Sequence, residues 1–255
     1  MQIGPNGRLG NQMFQYAALV GAATMKGYSW AIDRNEQNEL WDAFALDKAS
    51  FLKEEDKKNI QFQYREPNFY FNTSIFAIQD FTDLYGYFQS PLYFQHCFDF
   101  IKSEFTFKDN IVLDAKKQLA SYKSSAPVCS IHVRRTDYLN SPDYHPACTI
   151  NYYEKAKSLI LNSNSDVTFL VFGDDHDWIR ENLLDKRSVL VTGNDGKTDM
   201  CLMSLCDAHI IANSSFSWWA SILGNHNSTI APRIWFGPKG PSNWDTVYHE
   251  NWVRL

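Results

Sequence analysis

The stretch VCSIHVRRTDY, Val128 to Tyr138, decides how this chain is read. Val128, Ser130 and Ile131 suit a pleated strand inside a sheet. His132, Arg134, Arg135 and Asp137 then follow with almost nothing apolar among them. Side chains alternate along a strand, so His132 and Arg134 are expected on one face, and Arg135 and Asp137 elsewhere or in the next turn. Arginines at the end of a buried strand need an anion to face. In open α/β sheets, ligands bind beyond the carboxyl ends of the strands. The residues alone leave two readings: an anion site, phosphate first, at Arg134, or an Arg–Asp pair that ties down a loop.

Outward from this stretch the chain becomes regular. Strand-like runs at 128–134, 167–174, 188–193, 208–214 and 228–233 alternate with helix-like runs at 151–162, 176–184, 197–206 and 215–224. Short apolar strands alternating with helices indicate an α/β fold whose parallel sheet has helices on both faces, here a Rossmann-like half. The small polar run SYKSSAP, 121–127, is the best linker and divides the chain into 1–124 and 125–255. A parallel sheet opens three polar strand ends on one edge. The first is His132 to Asp137. In FGDDHDW, Asp174 and Asp175 follow an apolar strand. In IIANSSFSWWA, Asn213 precedes Ser214, Ser215, Phe216 and Ser217. Asp174 suits the N–H edge of a guanine, and serine hydroxyls with helix-start amides suit phosphate oxygens. The plainer alternatives are that Asp174 and Asp175 cap the helix near His176, and that NSSFS is an N-cap. Trp218 and Trp219 are expected in the core.

The first half is less patterned. In GPNGRLGNQMFQYAALVGAATMKG, glycines 4, 7 and 10 mark a tight loop, Asn11 is a good N-cap, and Met13, Ala17, Val20 and Thr24 share one helix face with Phe14 and Ala18 beside it. Such a helix start either accepts an anion or is only a turn and cap. YSWAID (28–33) and DLYGYFQS (83–90) read as strands. KEEDKK (53–58) reads as a solvated helix end, and Pro91 as the start of a helix carrying Phe94, Phe98 and Ile101 on one face.

Composition narrows the function. At 255 residues, the chain holds one large domain or two small ones; 44% hydrophobic and 21% charged residues are ordinary for a globular protein. A net charge of −5 leaves no basic surplus for a nucleic-acid backbone. The five cysteines, Cys97, Cys129, Cys148, Cys201 and Cys206, contain no CxxC pair, which argues against zinc and for a reducing compartment. No signal pattern opens the chain, and no apolar run reaches the roughly 18–20 residues of a membrane span. The expectation is a soluble cytoplasmic protein, or one peripheral to a membrane.

GRLGNQMFQYA, GYFQSPLYF, HVRRTDY, FGDD..W and MSLCDAHIIANSSFSWWASIL together resemble glycosyltransferase family 11, the α-1,2-fucosyltransferases, in order from Gly7 to about Pro238. The resemblance implies a GT-B-like fold of two Rossmann-like domains facing a cleft, with 1–124 on the acceptor side and 125–255 binding the donor. It implies transfer of L-fucose from GDP-β-L-fucose to the 2-hydroxyl of a terminal β-galactoside, with inversion and without a metal or other cofactor. It places Arg134, Asp137 and Asn11 in catalysis. His132, Arg134, Arg135, Asp174, Asp175, Ser214, Ser215, Phe216 and Ser217 fall at the donor, joined by Gly10, Asn11 and Gln12 of the GxGNQ loop. Within the RRTDY turn, Arg135 and Asp137 are expected to shape the loop. Two departures, Thr136 for the glycine of RRGDY and Arg8 for the second glycine of GGLGNQ, bear on linkage. Another linkage, or a nucleotide-sugar-binding protein without turnover, are the alternatives.

Overall fold

The computed structural model describes residues 7–33, 37–122, 126–224 and 228–255. It separates into two compact units, Met1–Lys108 with Asn243–His249, and Asp109–Ser242 with Glu250–Leu255. The expected boundary at 124/125 and residues 123–125 of the linker lie outside the described residues, as does Gly4 of the first loop. The units divide instead at Lys108/Asp109, because the helix that follows packs with the second unit.

The first unit is built on α1 (Leu9–Lys26), which ends at Gly27 in the left-handed region, φ 69°. Met13, Phe14, Tyr16, Ala17, Ala18 and Val20 are all fully buried, so α1 is apolar around its whole circumference rather than along one stripe. Thr24, expected on the buried face, is exposed. Nor is Asn11 the N-cap: the helix starts at Leu9, Arg8 holds the cap position, and Asn11 lies in the first turn. Then come β1 (Ala31–Ile32), α2 (Leu40–Ala43), β2 (Ser50–Phe51), the exposed α3 (Glu54–Lys57) within KEEDKK, β3 (Phe62–Arg65), β4 (Thr82–Tyr85) and α4 (Phe98–Glu104).

β1 pairs in parallel with β2, and β3 with β4. Among the described residues this unit therefore holds two separate two-stranded sheets, not one continuous Rossmann-like sheet. β4 stops at Tyr85 for a visible reason. The Glu66 carboxylate accepts the N–H groups of Tyr87, at 2.7 Å, and Phe88, at 3.0 Å, and Phe88 turns to φ 52°. Pro91 opens a 3₁₀ turn, Pro91–Tyr93, and a second turn at Gln95–Cys97 precedes α4, so the helix expected from Pro91 forms only from Phe98.

The second unit follows its hydrophobic pattern closely. Its elements are α5 (Asp109–Tyr122), β5 (Val128–Val133), α6 (Ile150–Ser163), β6 (Thr168–Gly173), α7 (His176–Asn182), β7 (Ser188–Leu190), α8 (Gly196–Ser204), β8 (Ala208–Ile210), α9 (Ser215–Leu223), β9 (Thr229–Ala231) and β10 (Val253–Arg254). The six strands are all parallel in the order β10-β9-β8-β5-β6-β7. All six residues of β5 are buried, which fits a central strand covered on both faces.

Ile131, Val133, Phe169, Val171, Ile210 and Ile230 from the sheet pack with Tyr153, Ala156 and Ile179 from α6 and α7. Each such burial stabilises by roughly 1.5–3 kcal/mol for the larger apolar side chains. Tyr152 and Tyr153 also carry polar tips, which donate to Ile211 O at 2.6 Å and His132 O at 3.0 Å and so tie α6 to the sheet. Trp218 and Trp219 are fully buried, as expected for core residues. No helix among the described residues is long and apolar enough to cross a membrane.

Candidate functional site

The sheet order locates the site. From β5 the chain winds through β6 and β7 to one side, then returns to place β8, β9 and β10 on the other. The winding therefore reverses between β5 and β8, and a doubly wound sheet opens its ligand crevice at that point, beyond the carboxyl ends. His132 lies near the end of β5, and Phe216 in the first turn of α9 after β8. Their rings are 5.4 Å apart. Tyr138, beyond β5, donates to Asn213 O at 2.8 Å and ties the two strand ends together.

His132 is 6% exposed, and its Nδ1 is buried without a hydrogen-bond partner among the described residues. Buried polar atoms are almost always satisfied, so this nitrogen is an unmet polar atom at the strand end. Burial, helped by the Arg134 charge and opposed by Asp174, pushes the His132 pKa down to about 4. The ring is therefore neutral at physiological pH, with one N–H and one lone pair to offer.

Arg134 forms the Arg–Asp pair of the sequence reading. It sits at the strand end, and it is also held by Asp137 Oδ2 at 2.7 Å and Asp174 Oδ2 at 3.2 Å. Burial alone would work against its charge, but the Asp137 hydrogen bond and the fields of both carboxylates hold its pKa above the ordinary value. Arg135 turns away, as expected of a loop-shaping residue: Nε pairs with Asp175 Oδ2 at 3.1 Å and the guanidinium lies 4.2 Å from the Trp178 ring centroid.

Asp174 accepts from Arg135 N at 2.9 Å and from the Thr136 hydroxyl at 2.7 Å, besides pairing with Arg134. Thr136 thus adds a bond that glycine lacks. Asp175 caps α7 by accepting from Trp178 N at 3.1 Å. Both carboxylates brace the RRTD turn.

The serine loop divides similarly. Asn213 is spent on Pro146 O, at 3.1 Å, and Trp235 O, at 2.9 Å. Ser217 is buried, its hydroxyl bonded to Ala212 O and Ser214 O. Ser214 occupies the cap position of α9 without a side-chain capping bond, and Ser214, Ser215 and Phe216 are half-buried. The start of α9 carries the positive end of the helix dipole.

A fourth strand end, after β7, carries a carboxylate that the sequence reading passed over. Asp199 lies in the first turn of α8 and accepts from Asn194 Nδ2 at 3.0 Å. Burial raises its pKa to about 6. A side-chain carbon on Gly196, at the start of this helix, would lie 3.7 Å from the Phe216 ring, so the α8 start borders the same aromatic group as His132. The signal was present as a polar run, TGNDGKTD, at the end of an expected strand.

In the first unit, Gly10 is buried within the first turn of α1. Gln12 is 1% exposed. It donates to Gly7 O at 3.1 Å and Gln37 O at 2.8 Å and accepts from Glu39 N at 2.8 Å, so its amide is committed to the loop around it. Asn11 is half-buried and accepts from Gln89 Nε2 at 2.7 Å.

The description of glycosyl transferase family 11 matches residues 1–255. The chain belongs to glycosyl transferase family 11. It is 31% identical to an alpha-1,2-colitosyltransferase of Escherichia coli, over 98% of this chain and 96% of that protein. It is 29% identical to the O-antigen biosynthesis glycosyltransferase WbnK of Escherichia coli, over 98% of each chain. A galactoside alpha-(1,2)-fucosyltransferase 1 of Bos taurus is 26% identical, over 87% of this chain and 65% of that protein.

Among solved structures, the fucosyltransferase NodZ from Bradyrhizobium matches with a TM-score of 0.58 at 14% identity, over 92% of this chain and 94% of that one. POFUT1 in complex with GDP matches at 0.52 and 12% identity, over 86% and 92%. The fold is thus the α/β, GT-B-like fold of these fucosyltransferases. In this family 11 chain His132 and Arg134 at the end of β5, and Ser214 and Phe216 at the start of α9, lie at neighbouring strand ends, while Arg135, Asp174, Asp175 and Ser217 bond within the turns that carry them.

Proposed function

We propose that the protein transfers L-fucose from GDP-β-L-fucose to the 2-hydroxyl of a terminal β-galactoside, with inversion and without a metal, using two domains in a GT-B arrangement. The observation that carries this reading is the neutral, buried His132 with its unmet Nδ1, set against Phe216 and beside the fixed cation of Arg134. In transfer, the bond from the fucose anomeric carbon to the β-phosphate oxygen breaks as the acceptor hydroxyl oxygen bonds from the opposite face and its proton passes to solvent water. Charge develops on the leaving GDP, and Arg134 stabilises it more in the transition state than before. Asp137 positions that guanidinium. Ser214, Ser215 and the amides at the start of α9 serve the phosphates. Asn11, with its neighbours Gly10 and Gln12, is assigned to the reaction through the family resemblance.

Guanine recognition falls to Asp199 rather than Asp174 or Asp175. The latter two are engaged by the RRTD turn, whereas Asp199 lies in the first turn of α8, whose start at Gly196 borders Phe216. An ionised carboxylate there accepts both N–H groups of the guanine edge.

A colitosyl donor is the second reading, favoured by the 31% identity to the Escherichia coli colitosyltransferase. Colitose is L-fucose without its 3-hydroxyl, so the nucleotide contacts would be shared. GDP-fucose and GDP-colitose offered separately with a panel of β-galactosides, with product linkage read by NMR, decide between them. A β-galactoside carrying fucose at O2 is the expected product. Product only from GDP-colitose, or a different linkage, overturns the specificity. GDP binding with no product from any pair leaves the non-catalytic alternative.

A further inference from the structure

The second unit holds a pair of amides behind Asp199 that the transfer chemistry leaves unassigned. Gln118 lies on α5, near the carboxyl end of that helix and in the same compact unit as the six-stranded sheet. Asn194 lies in the loop after β7. It sits between Gly193, at φ 87°, and Asp195, which caps α8 by accepting from Thr198 N at 2.9 Å. The two amides pair reciprocally. Gln118 Nε2 donates to Asn194 Oδ1 at 2.8 Å, and Asn194 Nδ2 donates back to Gln118 Oε1 at 2.9 Å. The same Asn194 nitrogen donates to Asp199 Oδ1 at 3.0 Å.

Every polar atom of the Asn194 amide is thereby used. Such an amide has two N–H groups and one carbonyl oxygen, and here both hydrogens and the oxygen have partners. Its orientation follows: turned over, the carbonyl would face the Asp199 carboxylate, acceptor against acceptor. Asp199 is only half engaged. Among the described residues its Oδ2 accepts no hydrogen bond. One oxygen is anchored and the other is open, in the helix start that borders Phe216.

We propose that Gln118 is a positioning residue for guanine recognition: by locking the Asn194 amide it holds the Asp199 carboxylate for the N–H edge of the base. The inference rests on the reading of Asp199 as the guanine partner. Without Gln118, Asn194 is a loop side chain that can turn away, and the carboxylate loses its anchor. A carboxylate fixed beforehand gives up little freedom when the base arrives. The relay also acts on charge. The Asn194 N–H favours the ionised form of Asp199 against burial. The charged and titratable groups that face Asp199 are Asp195, from its own helix start, which opposes ionisation, and His176, from the start of α7, which favours it.

Calorimetry with GDP and ADP tests this in wild type, Gln118→Met, Asp199→Ala and the double variant, and it needs no turnover. Methionine resembles glutamine in length and helix propensity and lacks the amide. Gln118→Met is expected to weaken GDP about threefold to tenfold, the scale of a neutral hydrogen bond, with ADP affinity close to that of wild type. In the Asp199→Ala background the same substitution should change GDP affinity by less than about twofold, because no carboxylate remains to be positioned. The pH profile is a second readout. Loss of a fixed donor favours the protonated carboxylate, so the fall in GDP affinity on acidification should begin at a higher pH in Gln118→Met than in wild type. Wild-type GDP affinity and pH profile in Gln118→Met, equal losses for GDP and ADP, or a loss that persists in the Asp199→Ala background would overturn the positioning role. If Asp199→Ala itself keeps the wild-type preference for GDP over ADP, the guanine assignment falls, and the role of Gln118 falls with it.

Discussion

Replacing Arg134 with alanine separates the chemical role of the RRTD turn from its structural one. Arg134 is 21% exposed and pairs with Asp137, 53% exposed, and Asp174, 21% exposed. Pairs this open to water contribute only about 0–1 kcal/mol. Asp174 also keeps its bonds to Arg135 N and the Thr136 hydroxyl when the guanidinium is gone. The melting temperature should therefore fall by only about 2–4 °C, the shift expected from about 1 kcal/mol in a protein of this size. Turnover responds to a different quantity. Losing a preorganised group aimed at developing charge costs about 100-fold to 1,000-fold in kcat, or roughly 2.7–4 kcal/mol of transition-state stabilisation. GDP release at saturating donor and acceptor measures this, with GDP affinity from calorimetry and melting on the same sample. The expected result is a kcat loss of at least about 100-fold, with a smaller loss of GDP affinity and an intact fold. A kcat within a few fold of wild type would refute the role. Collapse of the fold would show that the loop-tying function is the dominant one.

Asp199→Asn should weaken GDP binding by roughly tenfold, with less effect on ADP, measured by calorimetry. In wild type, GDP affinity should fall as pH drops below about 6, where Asp199 takes up its proton. The same raised pKa makes the folded state bind protons more tightly than the unfolded chain. Its contribution to stability is therefore present below the ordinary carboxylate range and lost as pH rises through about 6; Asp199→Asn should remove that part of the melting profile. His132 has the opposite sign. With its folded pKa pushed down to about 4, its contribution is present above 6.5 and lost as pH falls toward 4, so His132→Phe should flatten the melting profile there and abolish tight GDP binding. Gly21→Ala tests the packing of α1, since the added carbon would overlap the Tyr93 carbonyl. It should destabilise by about 1–3 kcal/mol in denaturant unfolding.

The second unit was legible because its signals are local. Each of β5 to β9 falls within its expected run, and the ends of α6 to α9 lie within two residues of theirs, since period and apolar length are properties of contiguous residues. The first unit was not, because its backbone groups are satisfied by distant side chains. Glu66 ends β4 by taking two N–H groups 21 and 22 residues away, and nothing in DLYGYFQS announces that capture. The two-residue strands β1 and β2 are too short to carry a period at all.

The site shows the same division. HVRRTDY and ANSSFSWWAS mark the strand ends, and with the other family motifs they determine the class of enzyme. The sequence could not apportion the polar groups between ligand and scaffold. Asp174 and Asp175 are adjacent in the chain and look equally available to a guanine. Asp174 is engaged by Arg135 N and the Thr136 hydroxyl and Asp175 by Arg135 Nε, up to 40 residues away, once β5 and β6 lie side by side. Asp199, unremarkable in the chain, becomes a carboxylate with a raised pKa because folding removes it from water. Residue type and spacing are written locally, and so the motifs and the parallel sheet follow from the sequence. Whether a polar atom is spent or still open depends on neighbours distant in the chain, and only the tertiary structure decides that.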